Sequence, residues 1–436
     1  NNTWYAADNG TDGNPSAGTN QTFTFAGTEA ANLQPYVANG TGTAVLVANF
    51  GSDSSFAGAK TPQGNQDSNG IGDFYYAPPS GFLSLCTKSL PSVDVIPSEN
   101  FNTVLYTGGN GSNNTAIDVS GVGFQPDFTW IKRRDGAASH GLFDAVRGVN
   151  KILNSDATDA EVTNQSDLLD EFQTDGFGLG VNAGAENVNK GGSTYVAWNW
   201  KAGGSASSNT NGTITSSVSA NVDAGFSIVA DEANGNVTSR GHGLASAPEM
   251  IIRKNRDSAR NWAVWHKDLT ANYALEGLNT TGAQVSGGNP SKYFRDINST
   301  TFSVGDDISV NANGESYISY CFHSVDGFSK VGSYTGNGSA DGTFVHCGFR
   351  PAWVMIKRTD AAGDSWGIHD ATRGTYNVSG PELYANTSEV EGAATRLDFT
   401  SNGFKQRSTG GLMNASGGTY IFLAFAETPF KFSNAR

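Results

Sequence analysis

One stretch of this chain occurs three times in altered form: QPDFTWIKRRDG at residues 125–136, APEMIIRKNRDS at 247–258 and RPAWVMIKRTDA at 350–361. A second stretch follows each copy and contains a tyrosine: GGSTYVAWNW at 191–200, NGESYISYCF at 313–322 and GGTYIFLAFA at 417–426. The proline of the first stretch and the tyrosine of the second are 69 residues apart in every copy (195−126, 317−248, 420−351). This constant spacing predicts three copies of one module of roughly 100 residues.

Large side chains alternate within both repeated stretches. Phe128 and Trp130 fall on one face of an extended chain, and Trp198 falls on the face opposite to Tyr195 and Ala197. A period of two residues is typical of strands with one buried face. We therefore predict an all-β fold of tandem antiparallel β-sandwich modules, of jelly-roll or lectin-like type.

The repeats and the composition divide the chain into four segments. Residues 1–98 differ from the rest, and the three repeats are predicted at 99–203, 213–326 and 327–436. The run GGSASSNTNG, which begins at Gly203, is rich in Gly, Ser and Asn, and this composition predicts a flexible linker. Because the chain begins with Asn1, we also expect further sequence upstream.

The bulk composition narrows the class of function. Of 436 residues only 16% are charged, and the formal net charge is −14. An acidic surface repels phosphate backbones, so we expect no nucleic-acid partner. The sequence has no apolar run long enough to cross a bilayer, so we expect no membrane insertion.

Metal and cysteine chemistry have little support in the sequence, and no cofactor is expected. Asp306 and Asp307, with Asp296 nearby, could hold a calcium ion through oxygen ligands, although they lack the spacing of a calcium-binding loop. A solvated loop is the alternative. Cys321 and Cys347 are predicted to be buried small side chains, and a disulfide between them is the alternative.

The candidate binding residues follow the repeated motif. They are Trp366, His369, Asp370 and Arg373 in the third copy, Asp144 and Arg147 in the first, and Trp265 and His266 in the second. In one interpretation an aromatic ring stacks on a sugar while the carboxylate and the guanidinium bind its hydroxyl groups. In the other, Asp and Arg three residues apart form an ion pair that fixes a turn, and the tryptophan packs in a core.

The sequence resembles a known class of viral proteins. The run PDFTWIKRRDG, the strand GGSTYVAWNW and the terminal FLAFAETPFKFSNAR resemble modules of tail fibres and other virion appendages of tailed bacteriophages, notably marine ones. These proteins carry concanavalin-like β-sandwich repeats. The run GDFYYAPPSGFLSLCTKSLP at 72–91 resembles the end of a SPRY-type sandwich. Residues 1–98 would then be the C-terminal part of a SPRY-like domain plus a linker.

The resemblance implies a virion protein outside the cell, without enzymatic activity. The expected partners are a host-surface glycan or another envelope component, other virion proteins, and further copies of the chain in a homotrimer. The alternatives are a purely structural capsid or tail fibre, and a polysaccharide-degrading enzyme with lectin modules. Exposed aromatic side chains on the loops of the last sandwich would favour receptor binding, and buried aromatics under polar loops would favour a structural part.

Overall fold

The structure is a computed structural model that describes residues 3–5, 21–24, 48–90, 94–109, 115–163, 168–181, 187–270, 274–275, 277–285 and 292–429. The chain divides into two compact units, Asn1–Ser92 and Val93–Arg436. All three repeats therefore belong to one compact unit.

The smaller unit consists mainly of loops in its described part. Its regular elements are the antiparallel pair β1 (Thr3–Tyr5) and β2 (Gln21–Thr24) and a 3-10 turn at Thr87–Ser89. Buried aspartate side chains hold the loops, since the Asp67 carboxylate accepts three backbone N–H groups, among them that of Ser84 at 2.8 Å. The run TAVLVANF at 43–50 is predicted to form a strand, and most of it lies outside the described residues.

Corresponding strands build the three repeats of the larger unit, which opens with a 3-10 turn at Pro97–Glu99. The first repeat contains β3 (Phe101–Thr107), β4 (Ile117–Ser120), β5 (Phe128–Arg133), β6 (Gly141–Asp144), β7 (Leu169–Gln173), β8 (Gly176–Leu179) and β9 (Thr194–Trp200). The second contains β10 (Ser207–Asn209), β11 (Ser216–Asn221), β12 (Phe226–Glu232), β13 (Thr238–Gly241), β14 (Met250–Asn255), β15 (Ala263–His266), β16 (Ala274–Leu275), β17 (Gln284–Val285), β18 (Phe294–Arg295), β19 (Thr301–Val304), the short helix α1 (Ile308–Asn311) and β20 (Ser316–Phe322). The third contains β21 (Ser329–Thr335), β22 (Phe344–His346), β23 (Phe349–Arg358), β24 (Gly367–Asp370), β25 (Ser379–Tyr384), β26 (Gly392–Thr400), β27 (Gly403–Gln406), the short helix α2 (Gly411–Asn414) and β28 (Thr419–Pro429).

The strands of every repeat pair in the same order. What we call the inner sheets run β3-β9-β5-β6, β12-β20-β14-β15 and β21-β28-β23-β24. The outer sheets run β4-β8-β7, β13-β19-β18 and β22-β27-β26, and the ladders within both kinds of sheet are antiparallel. The predicted all-β fold of antiparallel β-sandwich repeats is confirmed.

Each repeat has its own core between its inner and outer sheets. Tyr195 packs in the core of the first repeat, Ile251 in that of the second and Tyr420 in that of the third. Because successive residues of a strand point to opposite faces, each inner sheet has a second row of side chains that its own outer sheet cannot cover.

A fourth core buries these second rows together. Its aromatic rings connect every pair of repeats. The ring centroids of Phe128 and Tyr320 are 4.3 Å apart between the first and second repeats, and those of Phe101 and Phe425 are 5.0 Å apart between the first and third. Between the second and third repeats, the centroids of Phe322 and Phe425 are 6.0 Å apart. The prediction of strands with one buried face was thus wrong for the inner sheets, which are buried on both faces. The reason is that three inner sheets cover one another around this shared core.

The prediction of a flexible linker from Gly203 onward was also wrong. The segment includes β10, which pairs with β11 at the edge of the second inner sheet. Gly212 allows close backbone approach, because a Cβ there would lie 2.4 Å from the carbonyl oxygen of Ser239. The alternative of a disulfide is also excluded in this structure, since Cys321 and Cys347 are free thiols in the cores of different repeats.

Candidate functional site

The predicted site residues lie inside the protein. Of the eight, only Trp265 is partly exposed. The seven buried residues are Trp366, His369, Asp370, Arg373, Asp144, Arg147 and His266. A buried ring or carboxylate offers no surface to a saccharide, so these residues do not form the sugar site that one interpretation predicted. Their partners are instead groups of their own turn and of neighbouring repeats.

Two of the predicted carboxylates join one repeat to the next. Asp370 accepts hydrogen bonds from the backbone N–H and the Nε of Arg373 at 2.8 and 2.5 Å, which closes the turn after β24. It also accepts a hydrogen bond from Nε1 of Trp198, in the first repeat, at 3.0 Å. Asp144 closes the same turn in the first repeat and accepts the hydroxyl of Tyr320, in the second, at 2.8 Å. The motif DAxRG, at 144–148 in the first repeat and 370–374 in the third, therefore fixes a turn and connects its repeat to a neighbouring one.

His266 replaces the carboxylate in the second repeat. It occupies the corresponding register position, opposite Met250, and its Nε2 lies 3.4 Å from the backbone carbonyl of Phe422 in the third repeat. Its Nδ1 accepts the backbone N–H of Asp268 at 3.1 Å, and burial lowers the pKa of His266 to about 4. A neutral imidazole thus replaces the Asp–Arg pair, and both of its nitrogens have partners.

His369 points into the third sandwich rather than toward a neighbouring repeat. It lies on β24 next to Asp370, and its Nε2 is 3.4 Å from Oε1 of Glu382. Both side chains are buried, so this pair has no access to a ligand in solution.

Ring nitrogens form the same contact at all three boundaries between repeats. Nε1 of Trp262 donates to a backbone carbonyl of the first repeat at 2.9 Å, and Nε1 of Trp366 donates to one of the second repeat at 3.1 Å. Nε2 of His140, at the corresponding position, lies 3.0 Å from a carbonyl of the third repeat. The first repeat therefore contacts the third directly, and the three repeats close into a ring around the shared core.

Three buried lysines repeat the pattern, and the sequence-based prediction missed them. Lys132, Lys254 and Lys357 hold corresponding positions on β5, β14 and β23, and each Nζ donates to the next carbonyl of its own strand at 2.9, 2.7 and 2.8 Å. Each also contacts a neighbouring repeat, through the backbone carbonyls of Ser388, Thr158 and Thr281 at 3.4, 3.1 and 3.4 Å. The sequence did indicate that Lys132 is buried, because alternation places it on the same strand face as the large apolar Trp130.

These lysines predict that the free energy of unfolding rises with pH between about 8 and about 10. Burial lowers the folded-state pKa of all three to about 8, whereas an unfolded lysine has a pKa of about 10.4. Between these values the unfolded chain binds more protons, so raising the pH favours the folded state. Urea unfolding at several pH values measures the slope. Two buried thiols oppose part of this slope, because burial raises the pKa of Cys321 and Cys347 to about 12. Lys357→Met should therefore lower the slope by the contribution of one lysine, and an unchanged slope in that variant would contradict the assignment.

Ion pairs strengthen two of the three boundaries. Arg256 of the second repeat pairs with Glu161 of the first at 2.8 Å, and Arg134 of the first pairs with Glu391 of the third at 2.9 Å. The residues of both ion pairs also share a backbone hydrogen bond. At the boundary between the second and third repeats only the backbone bond has a counterpart, since the N–H of the uncharged Gln284 donates to the carbonyl of Thr359 at 2.9 Å. The boundaries are thus equivalent in backbone geometry and differ in side-chain chemistry.

The second repeat has a charged group inside its sandwich that the sequence-based prediction also missed. The Asp231 carboxylate accepts hydrogen bonds from Arg240 and Arg253, with distances of 2.6 Å to the nearest nitrogen of each. Burial alone would raise the pKa of Asp231, but the two guanidinium groups hold it below its ordinary value. This group is fully buried and serves the fold.

A groove between the third and first repeats is the strongest candidate for a binding site. It has a volume of about 350 Å³, which is within the range of small-ligand sites. We call it the threonine groove, and its lining residues are Ser98, Phe101, Asn102, Thr103, Ala352, Ala371, Thr372, Thr375, Ala426 and Glu427. Its floor is apolar, and hydroxyl, amide and carboxylate groups surround that floor.

Thr103 distinguishes this groove from an ordinary surface depression. Its side chain is only 7% exposed, and its hydroxyl has no hydrogen-bond partner among the residues that the structure describes. The strand register places Ile228 and Val331 at the corresponding positions of the other repeats. A buried hydroxyl without a partner costs about 1–3 kcal/mol. An aliphatic side chain at the same position avoids that cost, so the threonine points to a ligand that completes its hydrogen bond.

An exposed aromatic side chain lies next to the groove in sequence. Tyr376 follows Thr375 directly and is 81% exposed. The other large exposed aromatic in the described part of the larger unit is Phe344, at 46%. Both belong to the third repeat.

Two of the three acidic residues considered for calcium have protein partners. Asp307 accepts the backbone N–H of Ser309 at the start of α1 and lies 3.4 Å from Nζ of Lys292. Asp296 pairs with Arg295 at 3.0 Å. Within the described ranges, no group of three or more His, Cys, Asp or Glu side chains is arranged to hold a metal ion.

Comparisons with known proteins give one match. The family model described as Domain of unknown function (DUF7483) matches residues 96–429, which cover all three repeats. No curated protein and no solved structure matches the chain. Among the described residues there is no helix long and apolar enough to cross a membrane.

Proposed function

The chain belongs to the family described as Domain of unknown function (DUF7483), and we propose that it is a non-enzymatic structural protein of a bacteriophage virion. In this proposal it is part of a fibre-like tail appendage and attaches the particle to saccharides of the host surface. The observation that carries the proposal is the threonine groove, where a buried hydroxyl has no partner among the described residues and lies beside an apolar floor.

The lining of the groove suits a sugar. Threonine hydroxyls both donate and accept hydrogen bonds, and the side chain of Asn102 adds an amide. The apolar floor, which includes the partly exposed Ala352, suits the apolar face of a pyranose ring. Tyr376 can stack on a further sugar unit outside the groove, because an aromatic ring offers a large apolar surface with a polar end.

The exposed aromatics favour attachment over a purely structural role. Tyr376 and Phe344 are exposed on the third repeat, whereas its tryptophans Trp353 and Trp366 are buried. The purely structural alternative has its own support, because most of the predicted polar site residues are used in contacts between repeats. Other virion proteins and a homotrimer remain proposed partners, and a homotrimer would use surfaces other than the shared core, which one chain already buries.

The change Thr103→Val should separate binding from folding. Valine has nearly the same shape and removes the hydroxyl, so we expect the free energy of unfolding to rise by about 1 kcal/mol. Loss of a hydrogen bond to the ligand should weaken attachment by roughly tenfold. The measurements are urea unfolding of the full chain and binding of the labelled chain to intact cells of candidate hosts.

Two controls sharpen this test. Thr107→Val makes the same change at an exposed position of the same strand, outside the groove, and should leave binding unchanged. Periodate treatment of the cells, which cleaves sugar diols, should abolish binding of the unaltered chain. Equal binding by Thr103→Val and the unaltered chain would reject the groove. Absence of binding to every host would favour the structural alternative, and release of reducing sugar would favour the enzymatic one.

A further inference from the structure

A second groove lies at the corresponding boundary between the second and third repeats. Its volume is about 380 Å³. Here the loop after β15 meets the edge strands β21 and β22, just as the loop after β24 meets β3 in the threonine groove. We call it the lysine groove, and its lining residues are Lys267, Asp268, Lys330, Val331, Gly332, Ser333, Tyr334, Phe344, Val345, His346 and Phe422.

The lysine groove contains an ammonium group without a partner among the described residues. The side chain of Lys330 is half-buried, and its Nζ forms neither a hydrogen bond nor an ion pair with any residue that the structure describes. Lys267 differs, because it pairs with Glu249 at 2.6 Å. An ammonium group without a carboxylate partner in a groove is suited to an anion from outside.

The same groove has an aromatic surface beside that charge. Phe344 and His346 are two residues apart on β22, so both lie on one face of that strand, and both are exposed. The strand register pairs Gly332 with Phe422, and a Cβ at Gly332 would lie 2.9 Å from the ring of Phe422. The glycine therefore keeps the groove open down to an aromatic floor.

We propose that the lysine groove binds a carboxylated saccharide, with Lys330 holding the carboxylate and Phe344 packing on the sugar ring. The Asp268 side chain accepts hydrogen bonds from the sugar hydroxyls. The inference rests on the proposed function and deepens it, since it names the class of saccharide. Two boundaries with the same backbone geometry thus carry different chemistry: hydroxyl groups in the threonine groove and an ammonium group in the lysine groove.

The experiment measures binding of tri-galacturonate to the full chain by calorimetry, with its methyl ester as the probe that lacks the charge. We expect the acid to bind at least tenfold more tightly than the ester, and this preference to shrink as salt rises. Lys330→Gln should remove the preference. Lys88→Gln, an exposed lysine of the smaller unit, is the matched control and should keep it.

The outcomes separate this inference from the proposed function. Equal binding of acid and ester, or a preference that survives Lys330→Gln, overturns the lysine groove as a carboxylate site. If cells still bind the chain and Thr103→Val still weakens that binding, the proposed function stands without this inference. Loss of the preference in Lys330→Gln, with an unchanged unfolding midpoint, supports it.

Discussion

Replacing Trp353 by alanine is expected to destabilise the whole larger unit rather than the third repeat alone. Trp353 is 1% exposed, and its ring lies 5.6 Å from that of Trp200 and 6.3 Å from that of Phe101, both in the first repeat. Truncation of a buried tryptophan costs about 3–5 kcal/mol, because the surrounding groups cannot fill the cavity. Since the lost contacts belong to the shared core, we expect all three repeats to unfold in one transition at lower urea.

The measurement uses two probes of the same sample. Tryptophan fluorescence reports the shared core, and far-ultraviolet circular dichroism reports the strands of all repeats, so a single transition gives coincident curves. Tyr376→Ala removes an exposed aromatic of the same repeat and should leave both curves in place. Two separate transitions in Trp353→Ala, only one of them shifted, would show that the repeats fold independently.

This cooperativity also changes how the binding site can be located. Deletion of residues 327–436 would remove the third inner sheet and expose the shared core of the other two. A deleted chain that fails to bind cells would then say little about where the saccharide binds. Point changes such as Thr103→Val and Lys330→Gln avoid this difficulty, because they leave all three inner sheets in place.

Local sequence patterns predicted the strands and their repetition. The equal spacing from Pro126 to Tyr195 and in the other copies corresponds to the fixed span from the inner strand β5 to β9, which every repeat needs. Alternation assigned Tyr195 and Trp198 to opposite faces correctly, and the structure places them in different cores. Such patterns depend on residues close in sequence, which is why they can be read without the fold.

The closure of the repeats into a ring could not be read in this way. Alternation shows that Trp198 has a buried neighbour but not which segment supplies it, and the partner Asp370 is 172 residues away. Thr103 gives no local signal either, because a threonine is ordinary in a strand. Thr103 stands out only when the strand registers are compared, because the other repeats have the aliphatic residues Ile228 and Val331 at the corresponding position.

Asp370→Ala should be nearly as damaging as the loss of the core tryptophan. Asp370 holds Arg373 and also accepts Nε1 of Trp198 across the boundary between the third and first repeats, the one that closes the ring. Removing one partner of a buried ion pair costs about 3–5 kcal/mol, because the other charge stays buried without full compensation. Glu391 still contacts the guanidinium at 3.0 Å, so the lower part of that range is expected.

The matched control is Asp341→Ala, which removes an aspartate from an exposed ion pair with Lys405 in the same repeat. Solvent screens such a pair, so urea unfolding should hardly change. An Asp370→Ala midpoint as high as that of the control would mean that Arg373 finds solvent when its partner is lost. In that case the motif DAxRG would fix a turn without joining repeats. Trp198→Phe removes the indole donor of that contact but also part of a buried ring, so a coupling energy between Asp370→Ala and Trp198→Phe in a double-mutant cycle, rather than the loss in either variant alone, would show that the carboxylate stabilises the ring of repeats across the boundary.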